Sequence, residues 1–240
     1  MRIYGVADLH ARPDRLDQIR RNIYQYRPDV LVIAGDMTSY RHPAAVLEKL
    51  KLLPVPVLAV RGNTDLSRME KLFDAYSNIF SLHLKQIQVS GVNFSGVSGT
   101  LPIPFRSRIG LLQKKVMQQA SALTDRESVF VTHPPPYGTL DRVMGRFHAG
   151  ARAVSELIAE KEPRLVLCGH IHEDYGHAVI GRTHVVNCNM AGNRQGVLVD
   201  MEKGEAPVIR LLGEGQESNQ LTNGRRSTVS FFQRTSFFSG

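Results

Sequence analysis

The chain has very little cysteine. Only Cys168 and Cys188 occur among its 240 residues, each within an apolar stretch. A chain of this length can bury roughly 70% of its unfolded surface, so it needs no disulfide or structural metal for stability. Two free thiols in a reducing compartment are the simplest interpretation, with one disulfide as the alternative. The absence of a cysteine cluster also argues against a structural zinc knot.

Long apolar runs and a leader segment are lacking too. No apolar run approaches the ~18 residues that can span a bilayer. The first residues, MRIYGVADLHARP, reach a charged loop too early for a signal peptide. We therefore expect a soluble, cytoplasmic protein without a membrane partner.

Acidic residues are fewer than basic ones. The 30 Lys and Arg residues against 22 Asp and Glu residues give a formal net charge of +8. A basic surface favours anionic ligands such as phosphate esters. No basic run is interleaved with aromatic residues in the way that a nucleic-acid groove requires, so we do not expect a nucleic-acid partner.

The first 60 residues alternate between predicted strands and helices. The predicted strands are residues 2–7, 30–34 and 55–60, and the helices between them are residues 13–27 and 43–52. This order predicts parallel strands joined by right-handed crossovers.

The later part of the chain predicts a more mixed order. Residues 80–99 alternate by twos around a Ser90-Gly91 turn, which is typical of an antiparallel hairpin, and residues 100–108 read as a loop. The other predicted elements are helices 111–123 and 151–161, strands 129–132 and 164–168, and hairpins that pair 177–180 with 184–186 and 197–200 with 208–212.

Residues 1–212 form one predicted domain, followed by a tail, residues 213–240. The tail is rich in Ser, Asn, Gln, Arg and Gly, a composition typical of disorder. Its four phenylalanines leave a docked or self-associating tail as the alternative. The oligomeric state stays open, and a homo-oligomer is one alternative.

Five predicted strands end in side chains of the types that bind metals. The motifs are D-L-H with Asp8 and His10, G-D with Asp36, G-N-T-D with Asn63 and Asp65, T-H with His133, and G-H-I-H with His170 and His172. The carboxyl ends of parallel strands meet at one edge of a sheet, so these side chains should lie together. A lone histidine is usually an ordinary hydrogen-bonded residue, and glycines beside such motifs can be plain turn residues. Five such strand ends in one chain nevertheless predict a metal site, and its ligand types suit Mn, Fe, Ni, Co or Zn.

The ordered motifs resemble those of the calcineurin-like metallophosphoesterases, whose pattern is D-x-H, G-D, G-N-H-D/E, a lone H and G-H-x-H. The match runs from residue 5 to about residue 190. The resemblance implies an α/β fold of four layers, an αββα sandwich of two mixed β-sheets flanked by helices. It also implies two divalent metal ions, with Mn, Fe or Ni expected first and Zn or Co as alternatives.

The resemblance assigns a role to each ligand. It gives the first metal Asp8, His10 and His172, the second metal Asn63, His133 and His170, and makes Asp36 the bridge. A hydroxide activated by the two metals would attack phosphorus. Asp36, Asn63 and His133 are therefore the expected catalytic residues, and a small phosphate ester is the expected substrate.

Thr64 departs from the family pattern, which has histidine at this position. That histidine helps the leaving oxygen or orients substrate, whereas a threonine hydroxyl is a poor proton source near neutral pH. We therefore expect a phosphodiesterase-like branch that prefers diesters with acidic leaving groups over alkyl monoesters. Asp65 is expected to brace this turn behind the ligands, with an ordinary turn aspartate as the alternative.

Further candidates for substrate contact lie in loops. His148 and Arg146 precede the helix predicted at 151–161, whose N-terminus can attract phosphate, and Thr64 can donate a hydrogen bond. An ordinary loop at the start of that helix is the alternative for His148. Weaker candidates are His42, Arg12 and Arg106. The histidines in strand-like stretches without partner spacing are expected to be structural: His83, His177 and His184.

Two other functions stay open. A non-catalytic scaffold on the same fold would be favoured by lost ligands, but all seven ligand positions are filled. A nuclease would need an accessory DNA-binding segment, and none is recognisable outside the tail.

Overall fold

The structure is a computed structural model that describes residues 1–40, 43–99 and 107–213, with side chains described from residue 114 in the last range. His42 and Arg106 lie outside these residues, as do most of the predicted 100–108 loop and the tail from residue 214. Among the described residues, no helix combines the length and apolar character that crossing a bilayer requires.

The first sheet has six strands and contains the N-terminal part of the chain. In spatial order it consists of Val208–Leu211 (β14), Val197–Asp200 (β13), Arg2–Val6 (β1), Val30–Ala34 (β2), Val57–Val60 (β3) and Ile79–Ser81 (β4). Strands β1 to β4 run parallel, whereas β13 is antiparallel to both of its neighbours. The sheet is therefore mixed.

The second sheet also has six strands. In spatial order it consists of Gly176–Ile180 (β11), Thr183–Asn187 (β12), Leu165–Cys168 (β10), Val129–Thr132 (β7), Val92–Val97 (β6) and Gln86–Val89 (β5). Its four central strands are parallel, and each edge strand closes an antiparallel hairpin. A separate two-stranded hairpin pairs Arg142–Val143 (β8) with Phe147–His148 (β9).

Among the described residues, five helices accompany the sheets. They are Pro13–Tyr26 (α1), Pro43–Leu50 (α2), Met69–Phe73 (α3), Ser107–Ala122 (α4) and Arg152–Lys161 (α5). Helix α1 begins at a proline, whose fixed φ suits the first turn, and ends at Arg27 in a left-handed conformation.

The central strands are buried on both faces because each sheet lies between the other sheet and a helix layer. In β1, Ile3 packs in the cluster between the sheets, while Tyr4 and Val6 pack in the cluster that includes α1. On the far side, Val166 of β10 packs in a third cluster with Leu157 of α5. These clusters confirm the predicted αββα sandwich.

The predicted hairpin over residues 80–99 is wrong in its first part. Strand β4 pairs in parallel with β3 in the first sheet, and only β5 and β6 form a hairpin around Ser90-Gly91. Alternation by twos shows which residues face inward but does not identify the partner strand. Helix α4 also begins earlier than predicted, and the short elements α3, β8 and β9 were not predicted.

Candidate metal centre

The seven predicted ligands follow the carboxyl ends of five strands. Asp8 and His10 follow β1, Asp36 follows β2, Asn63 follows β3, His133 follows β7, and His170 and His172 follow β10. The first three of these strands belong to one sheet and the last two to the other. The structure brings all seven side chains into one connected cluster.

The first part of the cluster is formed by Asp8, His10 and His172. One ligand atom of each lies within 4.8 Å of the others, and His172 Nε2 is 3.3 Å from Asp8 Oδ1. Asp8 is fully buried, and its Oδ2 accepts the N–H of His170 at 3.0 Å. Its Oδ1 has no hydrogen-bond partner within the described residues. A buried carboxylate oxygen that accepts no hydrogen bond is costly unless a cation neutralises it.

The second part of the cluster is formed by Asn63, His133 and His170. Asn63 Oδ1 lies 3.0 Å from His133 Nε2 and 3.1 Å from His170 Nδ1, and the two nitrogens are 3.2 Å apart. His133 Nδ1 donates to the carbonyl of Ala34 at 2.8 Å, so Nε2 is the ring nitrogen directed at Asn63 and His170. A metal ion that displaces the proton of Nε2 would find three ligand-type atoms converging on one point.

Asp36 lies between the two parts. Its Oδ2 is 3.9 Å from His10 Nε2 and 3.5 Å from His133 Nε2, and its Oδ1 accepts the N–H of Thr64 at 2.8 Å. Burial raises the pKa of Asp36, but His133 and the Thr64 N–H outweigh it and lower that pKa to about 2. Asp36 is therefore a carboxylate at neutral pH.

Several of these residues have unusual backbone conformations. Asp8, His10, Asp36 and His170 have φ of 59°, 50°, 53° and 70°, in the left-handed region. Such a conformation costs roughly 1–3 kcal/mol for a non-glycine residue and tends to occur at functional sites. The strain supports a functional role for this cluster.

Two glycines allow the loops to approach each other. A Cβ on Gly35, which has φ of 92°, would lie 2.5 Å from His133 Nδ1, and a Cβ on Gly62 would lie 2.1 Å from Asp36 Oδ1. Both distances are far below van der Waals contact. These glycines therefore provide clearance for the ligands as well as turns.

Asp65 joins the loops that carry Asp36 and Asn63. Its carboxylate accepts the backbone N–H groups of Met37, Thr38 and Gly62 at 3.1, 2.8 and 3.0 Å, and also the Thr38 hydroxyl at 2.8 Å. This arrangement supports a bracing role for Asp65.

Thr64 has its hydroxyl committed elsewhere. The hydroxyl donates to the carbonyl of Thr38 at 2.5 Å, and its oxygen is 3.5 Å from His10 Nδ1. The single hydroxyl proton is thus directed away from the ligands.

His148 and Arg146 lie on the small β8–β9 hairpin. His148 Nδ1 donates to Asp141 Oδ1 at 2.6 Å, and the His148 side chain is 34% exposed. Arg146 is exposed, and its N–H closes the hairpin turn on Val143.

The weaker candidates have other partners. The guanidinium of Arg12 pairs with Asp14 at 3.0 Å on the surface, and His83 accepts the N–H of Ser98 at 3.1 Å, as a structural residue would. His177 and His184, which showed no partner spacing in the sequence, lie together, with His177 Nε2 3.0 Å from His184 Nδ1. Their positions on neighbouring antiparallel strands, rather than their spacing in sequence, make them a pair.

Four residues that support the ligand loops were not predicted. Arg15 of α1 donates to the carbonyl of Asp8, and Arg194 donates to the carbonyl of His172. The amides of Asn187 and Asn189 donate to the carbonyl of Ile171. Asn187 ends β12, the neighbour of β10, and Asn189 follows two residues later. Because functional side chains tend to follow strand ends, their positions in the sequence could have marked them, whereas nothing in the sequence marks the two arginines.

Comparisons with known proteins agree with this geometry. The family model described as calcineurin-like phosphoesterase matches residues 1–174, which include all seven clustered side chains. An uncharacterized protein of Methanocaldococcus jannaschii is 29% identical over 196 residues, covering 78% of this chain and 87% of that protein. The human metallophosphoesterase domain-containing protein 1 is 26% identical over 221 residues, covering 79% of this chain and 66% of that protein.

The fold is also shared with solved structures. A dimetal phosphatase from Danio rerio superposes with a TM-score of 0.60 at 12% identity, covering 88% of this chain and 95% of that chain. Since the family match spans most of the sequence, the chain belongs to the calcineurin-like phosphoesterase family, a family of phosphoester hydrolases.

Proposed function

We propose that this protein hydrolyses small phosphodiesters with the help of two divalent metal ions. The observation that carries the proposal is the convergence of seven ligand side chains around Asp36, the carboxylate between two groups of ligand atoms. The dimetal phosphatase that shares the fold supports a two-metal reading of such a site.

The residues fit a pair of divalent metal ions. Asp8, His10 and His172 would hold one ion, Asn63, His133 and His170 would hold the other, and Asp36 would serve both. Such ions would bind Asp8 Oδ1, which accepts no hydrogen bond within the described residues, and the converging atoms Asn63 Oδ1, His133 Nε2 and His170 Nδ1. When bound, the ions supply Lewis acidity toward the phosphoryl oxygens and lower the pKa of water. Nitrogen and oxygen ligands together favour Mn, Fe or Ni, with Zn and Co as alternatives.

The chain's own residues hold this site in shape. Asp65 ties the Asp36 loop to the Asn63 loop, and the Thr64 N–H holds Asp36 Oδ1. His148 and Arg146 on the β8–β9 hairpin are the proposed contacts to the substrate. The Thr64 side chain is close enough to His10 to border the substrate, although its proton is directed to Thr38.

The preference for diesters follows from position 64. Expulsion of an alkoxide needs a proton donor, and general acid catalysis accelerates such steps about 10²–10⁴-fold. Thr64 cannot provide that proton, so the ligand loops favour substrates whose leaving groups depart readily. We therefore expect an aryl diester to be a better substrate than an alkyl monophosphate.

The test is an activity panel with the metal as a variable. Protein stripped with a chelator should be inactive, and Mn, Fe, Ni, Zn or Co should restore hydrolysis of bis(4-nitrophenyl) phosphate more efficiently than that of glycerol phosphate. Asp36→Asn should reduce kcat by more than about 10²-fold, because it removes the charge shared by both groups of ligands. Turnover that survives Asp36→Asn would contradict the two-metal mechanism, and equal efficiency on alkyl monophosphates would contradict the diester preference.

A further inference from the structure

A carboxylate–histidine pair lies outside the metal centre. His148 Nδ1 donates to Asp141 Oδ1 at 2.6 Å, so the Nε2 of His148 is the ring nitrogen left for another partner. Asp141 is fully buried, whereas the His148 side chain is 34% exposed. A buried carboxylate that orients a half-exposed imidazole is the arrangement in which histidine transfers protons.

Backbone N–H groups hold the Asp141 side chain in place. Asp141 Oδ2 accepts the N–H of Gly138 at 2.9 Å and the N–H of Gly150 at 3.0 Å. A Cβ on Gly150 would lie 2.6 Å from the Pro136 carbonyl oxygen and 2.8 Å from Asp141 Oδ2, so no other residue fits there without movement. With the His148 hydrogen bond, these contacts give both oxygens of the buried Asp141 side chain hydrogen-bond donors and fix its orientation.

The Asp141–His148 pair is connected to the loops after β7 and β10, which carry His133 and His172. The chain reaches this region through three prolines that follow His133 directly. His148 lies opposite Arg142 in the hairpin, and the N–H of Arg142 donates to Asp174 Oδ2 at 2.9 Å. Asp174 lies two residues after His172, and the neighbouring Glu173 accepts the N–H of Met144 at 3.1 Å. One cross-strand pair and one hydrogen bond therefore connect His148 to the His172 loop.

The metal centre lacks a proton donor of its own at position 64. The Thr64 hydroxyl is committed to the carbonyl of Thr38, and no histidine follows Asn63 as it does in the family pattern. The leaving oxygen of a phosphodiester with a weakly acidic leaving group must nevertheless acquire a proton.

We propose that His148 is the general acid of the phosphodiesterase reaction and that Asp141 is its positioning residue. This inference rests on the proposed function. Water oxygen forms the new P–O bond while the ester P–O bond breaks. The leaving oxygen keeps the electron pair of the broken bond and takes the proton from His148 Nε2. The proton released by the attacking water returns the imidazole to its protonated form through solvent. His148 thus sets how steeply the rate falls with leaving-group basicity. Because position 64 lacks the histidine of the family pattern, His148 is the single proposed donor, and it assists a phenoxide far more effectively than the much more basic alkoxide of an alkyl monoester.

The test compares leaving groups on a constant diester. Methyl aryl phosphates carrying 2,4-dinitrophenyl, 4-nitrophenyl or phenyl groups are hydrolysed by the metal-loaded parent and by His148→Gln. We expect kcat for the phenyl ester to fall about 10²–10⁴-fold and kcat for the dinitrophenyl ester to change little, because only the poor leaving group needs the proton. Asp141→Asn should give a partial loss with the same leaving-group trend, and added imidazole should restore turnover of the phenyl ester by His148→Ala.

The matched control is His177→Gln, a histidine replacement on a different strand, which should reproduce the parent at every leaving group. Circular dichroism and metal content should be unchanged in all variants. An equal loss for all three esters, or no loss in His148→Gln, overturns the role of His148 while the proposed function stands. Failure of the metal-loaded parent to hydrolyse even the dinitrophenyl ester overturns both.

Discussion

Two histidines in this chain, His133 in the candidate metal centre and His177 at the edge of the second sheet, have opposite surroundings. Burial lowers the pKa of His133, but the hydrogen bond and charge of Asp36 and the charge of Asp8 outweigh it and raise that pKa to about 9. At the edge of the second sheet, burial and the neighbouring His184 together lower the pKa of His177 to about 4. Burial acts in the same direction on both rings, so the carboxylates make the difference. Histidines beside carboxylates are suited to bind cations, whereas the edge pair is suited only to a neutral hydrogen bond.

The predicted ligand histidines and the edge pair also differ in backbone position. The ligand histidines follow the ends of parallel strands, where loops from both sheets meet. His177 and His184 lie within antiparallel strands, opposite Val186 and Val179. The protonation and ligand-binding properties of a histidine side chain therefore depend on its position in the fold.

The largest expected effect is the difference in activity between a variant of the metal centre and a variant of the edge pair, His177 and His184. His133→Gln should reduce kcat on an aryl diester by more than about 10²-fold, because it removes a ligand nitrogen from the centre. His184→Gln should leave kcat within about twofold of the parent. Both are measured at saturating metal, with circular dichroism to show that each variant is folded. Similar losses in the two variants would mean that the edge pair belongs to the active centre.

An intermediate effect is expected when the residue that braces the Asp36 and Asn63 loops is changed. Asp65→Asn keeps the shape of the side chain but removes the charge that accepts the N–H groups of Met37, Thr38 and Gly62. We expect a loss of about 10–100-fold in metal affinity, as is typical for residues behind metal ligands. Calorimetric titration of the chelator-treated protein with Mn²⁺ measures it. Unchanged affinity would assign Asp65 to an ordinary turn.

The smallest expected effect concerns the pH dependence of stability. Folded His177 stays neutral down to about pH 4, whereas an unfolded histidine has a pKa of 6.5. Between these values the unfolded state binds more protons, so the free energy of unfolding decreases as pH falls from about 6.5 to about 4. His177→Gln removes this contribution and should make stability less dependent on pH in that window. Urea denaturation of metal-free protein at several pH values measures the difference, and parallel pH curves for variant and parent would refute it.

The candidate site could largely be predicted because its side chains directly follow the ends of predicted strands. Asp8, Asp36 and His133 each follow a short apolar run, and such a run identifies a strand whichever helix or sheet covers it. The order of the strands then indicates which ends share an edge. The bracing role of Asp65 could be proposed in the same way, from its place in the G-N-T-D motif.

Contacts between different structural elements could not be predicted in this way. The partner of β4, the His177–His184 hydrogen bond and the burial of Asp141 beside His148 all depend on which surfaces the folded layers bring together. Local periodicity contains no information about the identity of the opposite residue. The short hairpin β8–β9 has too few residues to show any period at all.

The sequence by itself thus determined the layered α/β architecture and the set of candidate ligand residues, because both depend on local patterns of apolar and polar residues. Only the tertiary structure decided which histidines face carboxylates and which face each other. It also decided that the Thr64 hydroxyl points to Thr38 and that Asp141 holds His148. The physical reason is that the pKa of a histidine and the direction of a hydrogen bond depend on neighbours a few ångströms away, and these neighbours are supplied by other parts of the chain.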